Sequence, residues 1–203
     1  MKQIVVIHGG DSFVNRKEYQ VYLRSLKPTK DHFKANTDWK YSLGSKLGND
    51  YEIFNPRMPN SNDAEYLEWE IWFKKLIILL GDKVILIGHS LGGSFLVKYL
   101  ATNKIDLKPL ATILVSPPYD GVSSNEPIYS FTAPLDLNSL AKQAGELYLI
   151  HSEDDPVVSF EEHKLYKTKL CNAETITFAD RQHFNQVDFP ELIQLIQQLG
   201  KKY

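Results

Sequence analysis

The 203-residue sequence predicts an α/β fold, a three-layer sandwich built on a mostly parallel sheet of about six strands. Two observations lead there. Short runs such as "VILIG" and "ATILVS" are continuously apolar rather than alternating, as in strands buried on both faces. Helical patterns separate these runs, and strand–helix alternation produces parallel sheets with right-handed crossovers.

In order, the strands are expected at Ile4–His8, Tyr51–Phe54, Val84–Gly88, Ala111–Ser116, Glu146–His151 and Thr175–Phe178. The clearest helix spans Ala64–Leu80, with Asn62 as its cap and Glu65 three residues on, the spacing of a capping box. Further helices are expected at Leu91–Asn103, Phe160–Leu170 and Glu191–Leu199, the last opened by Pro190. Two stretches break the rhythm. Lys27–Asp50 reads as a poorly periodic helix anchored by Trp39 and Tyr41, and residues 117–138, with four prolines, read as an irregular loop or short cap. Neither marks a second domain, so residues 1–203 are read as one.

Hydrophobic residues make up 43% of the chain and charged residues 24%, with a formal net charge of -2, the balance of a globular protein. The charges are mixed and form no basic stripe, so nucleic acid is not an expected partner. Four successive apolar residues near the N-terminus are too few for a signal-peptide core, and Ile71–Leu80 carries two lysines and is too short to span a bilayer. A single cysteine, Cys171, has no internal partner, which suits a reducing compartment; the expectation is a cytoplasmic protein.

The chemistry concentrates at "VILIGHSLGGSFLVKYLA", Val84–Ala101. Gly88, Ser90 and Gly92 fit the G-x-S-x-G spacing with a strand before and a helix after, which lifts a serine hydroxyl above the carboxyl edge of the sheet. Free N–H groups at the helix start favour an oxyanion there, with Leu91 as one expected donor and Gly10 of "HGG" as the other. A serine nucleophile needs a base and an orienting carboxylate. "DRQHFN" supplies His183, and "HSEDDPVV" supplies Asp155, preferred because Pro156 fixes the following turn, with Asp154 as its rival. His32, His89, His151 and His163 are less suited as bases by their positions. No His and carboxylate cluster has metal-ligand spacing, so neither metal nor cofactor is expected.

These residues resemble the α/β-hydrolase superfamily and, more closely, the small serine hydrolases related to retinoblastoma-binding protein nine and YdeN. The likeness runs through "VVIHGG", "RMPNSNDAEYLEWEIWFKKL", "LIGHSLGGSFLVKYL", "YSFTAPLDLNSL", "LYLIHSEDDPVVSF" and "RQHFN", in order along most of the chain. It implies Ser90, Asp155 and His183 as the triad and a compact fold without the large helical lid of lipases. Tyr119, Tyr129 and Phe131 then stand either as pocket walls or as anchors of the irregular loop. The expected activity is hydrolysis of a carboxylic ester of a small-molecule acyl substrate, with thioester and peptide bonds behind it. The competing reading is a hydrolase-fold protein of slow or vestigial activity that works through protein contacts.

Overall fold

The computed structural model describes residues 1–124 and 127–202. Residues 125 and 126 of the expected irregular loop therefore lie outside the described residues. Six strands form one sheet: β1 (Lys2–Ile7), β2 (Tyr51–Phe54), β3 (Ile85–His89), β4 (Ala111–Val115), β5 (Glu146–Ser152) and β6 (Glu174–Phe178). Their order is β2-β1-β3-β4-β5-β6, and every pair is parallel.

The period-2 geometry of a strand explains why the central runs are apolar throughout. Ile4 and Val6 of β1, with Ile85 and Ile87 of β3, point to one face, where α2 (Trp39–Leu47) and α7 (Pro190–Gly200) cover them with Trp39, Leu43, Leu192 and Ile196. Val5, Ile7 and Leu86 point to the other face. There α3 (Tyr66–Ile77), α4 (Leu91–Thr102), α5 (Asn138–Gln143) and α6 (Phe160–Lys169) supply Trp69, Phe73, Phe95, Leu140 and Tyr166. The edge strands β2 and β6 are only partly covered.

Two local expectations are corrected. The capping box does not form: α3 begins at Tyr66, with Glu65 in the cap position and making no side-chain capping bond. Asn60 adopts φ 46°, Asp63 N–H donates to the Asn60 carbonyl at 2.7 Å, and Ala64 N–H donates to Asp11 O at 2.7 Å. The segment is thus spent on tying the loop after β1 to the start of α3. The second correction is α1 (Arg16–Ser25), which the sequence reading did not mark. It is capped by Asn15, whose side chain accepts from Lys17 N and Glu18 N, and none of its residues is buried.

The chain runs to opposite sides of β1 and β3 as the sheet grows, so the loops after these two strands diverge. Clefts of open α/β sheets lie at such a point, beyond the carboxyl ends of the strands.

Candidate active site

Ser90 stands between β3 and α4 with φ 54° and ψ -128°, a backbone conformation that costs a non-glycine residue energy and persists only when its surroundings impose it. Here its N–H donates to Val115 O at 2.9 Å, and its carbonyl accepts from Gly93 N at 2.8 Å. The neighbouring glycines make the turn possible. A Cβ on Gly92 would come within 2.3 Å of Ile7 O, and one on Gly88 within 2.5 Å of Gly92 O. The side chain of Ser90 is left half-buried at the sheet's carboxyl edge.

His183 and Asp155 follow β6 and β5. His183 Nδ1 lies 2.9 Å from Asp155 Oδ2 and 3.1 Å from Oδ1. Asp155 Oδ1 also accepts from Val157 N and Val158 N, both at 2.9 Å, in the turn that Pro156 begins. Burial pushes this carboxyl's pKa up, but the imidazole and the two backbone donors outweigh it and hold the group below its ordinary value. A carboxylate at Nδ1 fixes the proton there, leaving Nε2 as the basic nitrogen. Asp154 is turned elsewhere: its Oδ1 accepts from Ser152 Oγ at 2.6 Å and from Gln182 N at 2.8 Å, so it braces the histidine loop and does not meet the ring. His151 lies beneath, its Nε2–H donating to Val158 O at 2.9 Å, and burial lowers its pKa so that it packs as a neutral ring.

Ser90 and His183 both line an open cleft of about 1340 Å³, together with Gly9, Gly10, Leu91, Met58 and Ile128. Leu91 is the first residue of α4, so its N–H precedes the intrahelical bonds. Gly9 passes closest to the serine: a Cβ there would lie 3.0 Å from Ser90 Cβ. Gly10 is pressed against Ser61, whose carbonyl oxygen a Cβ would approach to 2.3 Å. The loop carrying both glycines is held by His8, whose Nδ1–H donates to Gly9 O at 2.6 Å while Nε2 accepts from Met58 N at 3.0 Å.

The family model described as serine hydrolase matches residues 33–196. The chain belongs to that family. Among its relatives is the rat protein described as serine hydrolase RBBP9, 25% identical over 151 residues, a match covering 73% of this chain and 78% of the rat protein. The crystal structure of the ydeN gene product from B. subtilis aligns with a TM-score of 0.79 at 19% identity, over 99% of this chain and 100% of that one. A putative YdeN-like hydrolase from Pectobacterium atrosepticum aligns with a TM-score of 0.67 at 14% identity, over 98% and 91%. The fold is that of the α/β hydrolases.

In this serine hydrolase the three aromatic residues considered as pocket walls part company. Tyr129 lines the cleft. Phe131 does not: it is fully buried, edge-on to Trp69 at 5.1 Å and to Tyr66 at 5.9 Å. Tyr119 is buried against Tyr166 at 5.0 Å and is likewise absent from the cleft wall. Both are corrected from candidate walls to anchors, because the irregular segment needs apolar side chains to fasten it onto the face covered by α3, α4 and α6. The cleft is walled instead by Phe13, Val21, Tyr22, Met58, Ile128 and Val157. Of these, Val21 and Tyr22 sit on α1, a helix that is polar on average and buries none of its residues. Among the described residues, no three His, Cys, Asp or Glu side chains converge as a metal site, and no helix is long and apolar enough to cross a membrane.

Proposed function

We propose that this serine hydrolase cleaves a carboxylic ester through an acyl-enzyme on Ser90, with His183 as base, Asp155 as its orienting carboxylate, and the N–H groups of Leu91 and Gly10 as oxyanion donors. The observation that carries the reading is the pairing of Asp155 with Nδ1 of a histidine that shares one cleft with a serine held at φ 54°. That pairing leaves Nε2 to take the Ser90 hydroxyl proton as Oγ attacks the acyl carbon. The imidazolium returns the proton to the departing alkoxide when the C–O bond breaks. Water, deprotonated by His183, then hydrolyses the acyl-enzyme and regenerates the serine.

The cleft is large enough for a small-molecule substrate, and Phe13, Val21, Met58 and Ile128 give part of its wall an apolar surface for an acyl chain, beside charged side chains such as Arg57 and Glu18. Tyr129 is assigned to the same wall. Thioester and peptide cleavage stand behind ester hydrolysis as alternatives, since the same acyl-enzyme chemistry serves all three bonds. A cytoplasmic setting is the reading of the lone, exposed Cys171.

The test is labelling with a fluorophosphonate probe alongside turnover of p-nitrophenyl esters of increasing acyl length, native protein against Ser90→Ala. Rapid labelling and turnover, both lost in Ser90→Ala, are expected. A native protein that neither labels nor turns over esters overturns the reading in favour of a vestigial site.

A further inference from the structure

The loop that carries His183 is strained on both sides of the histidine: Gln182 has φ 49° and Phe184 φ 53°, left-handed conformations that non-glycine residues avoid. Strain of this kind must be held from outside, and the first turn of α2 holds it. Trp39 Nε1–H donates to Phe184 O at 2.9 Å, Trp39 N–H donates to Gln186 O at 3.0 Å, and Ser42 Oγ donates to Val187 O at 3.2 Å. None of these bonds reaches His183 itself.

The bond to the backbone carbonyl of His183 comes from His89, the residue before the serine. His89 Nε2 lies 2.8 Å from the carbonyl oxygen of His183, and the two rings are 4.9 Å apart between centroids. A carbonyl only accepts, so Nε2 carries the proton. His89 is buried, and burial together with the nearby Lys40 ammonium drives its pKa well below the ordinary value, so the ring is neutral and Nδ1 keeps a lone pair. Lys40 Nζ sits 3.3 Å from that nitrogen. Lys40 is itself buried, and its ammonium is paired with Asp38 Oδ2 at 2.8 Å, while Asp38 Oδ1 caps α2 through Lys40 N.

A relay follows: carboxylate, ammonium, imidazole, carbonyl. We propose that Lys40 is a positioning residue for the base, selecting the His89 tautomer whose Nε2–H clamps the backbone of His183 beside Ser90. The proposal rests on the reading of His183 as base, and it goes beyond that reading by assigning work to Lys40, His89 and Asp38. Without a donor at Nδ1, His89 is free to move its proton there. A bare Nε2 then faces the carbonyl oxygen, two acceptors repel, and the strained loop loses its bond at the His183 carbonyl.

The experiment compares native protein with Lys40→Met. Because that change leaves Asp38 buried without its counter-charge, Asp38→Asn/Lys40→Met is made beside it to remove both members of the pair. Turnover of p-nitrophenyl butyrate is read as separate kcat and KM values, and histidine tautomers are read by nitrogen-15 NMR. The expected result is a fall in kcat of about tenfold to a hundredfold with KM within about twofold, the scale of a catalytic group misplaced by about an ångström. With it, the His89 signals move from the Nε2–H pattern towards a mixture. Retained kcat in folded variants, a rise in KM alone, or an unaltered His89 tautomer overturns the proposal. If the native protein shows no hydrolysis at all, the failure lies with the functional reading, and the NMR pattern alone decides whether Lys40 sets the His89 tautomer.

Discussion

Asp155 and His183 meet at 2.9 Å, while Asp154, one residue away, reaches past the ring to the backbone of Gln182. Adjacent carboxylates thus have separate tasks, one orienting the imidazole and one bracing its loop. Asp155→Asn is expected to lower kcat for a p-nitrophenyl ester by about four orders of magnitude, since an amide at Nδ1 no longer demands the proton there. Asp154→Asn keeps an acceptor for Gln182 N and is expected to cost far less. Steady-state rates of the two variants check the assignment, and the reverse ranking refutes it.

Glu162 is buried in α6 and accepts from the backbone N–H groups of Tyr119 (2.7 Å), Asp120 (3.1 Å), Gly121 (3.3 Å) and Ser123 (3.2 Å), besides the hydroxyl of Ser123 (2.7 Å). Burial raises its pKa, but these donors outweigh it and hold the carboxyl below its ordinary 4.5. A lowered folded pKa means stability that is present above about pH 4.5 and lost as the pH falls through the folded value. Glu162→Gln turns one acceptor into a donor facing N–H groups and is expected to cost about 2 to 4 kcal/mol at neutral pH. Urea unfolding at several pH values below 5 should show a shallower acid loss in the variant than in the native protein.

His163 is pushed down to about 4 by burial first and by neighbouring His151 and Lys167 next. Between pH 6.5 and about 4 the unfolded chain therefore binds a proton that the folded chain refuses, so stability falls as the pH drops through that window. Its Nδ1 is buried with no hydrogen-bond partner among the described residues, so His163→Leu removes no bond seen at that atom. The expected outcome is an unchanged or raised melting temperature at pH 7 and a flatter dependence between pH 6.5 and 4, read by thermal melts across a buffer series.

Phe131 and Tyr129 lie two residues apart and should respond differently to truncation. Phe131→Ala opens the packing against Trp69 and Tyr66 and is expected to cost about 3 to 5 kcal/mol in denaturant unfolding. Tyr129→Ala strips a half-buried wall of the cleft and is expected to raise KM with a smaller loss of stability.

What the sequence made legible follows from burial. β1, β3, β4 and β5 are covered on both faces and therefore read as unbroken apolar runs. α4 reads clearly for the same reason and α7 through the helical spacing of its buried Leu192, Leu195, Ile196 and Leu199, and the elbow is legible because Gly88 and Gly92 are forced by contacts within the turn and with the end of β1. α1 was invisible because nothing on it is buried, and α2 was faint because its core contact is a single stripe, Trp39, Leu43 and Leu47, interrupted by Gly44 and a buried lysine. Lys40 carried no signal at all, since only the tertiary meeting of α2 with the residue before the serine gives it a partner. Core anchors and cleft walls in residues 117–138 could not be told apart, because both tasks select aromatic side chains and no period links them.

The connection from β1 to α2 contributes little to either core layer, yet Phe13, Glu18, Val21 and Tyr22 within it border the opening above Ser90. Substitutions in α1 are therefore expected to leave folding almost untouched while reshaping the entrance, so the scaffold and the access to the serine can be altered separately.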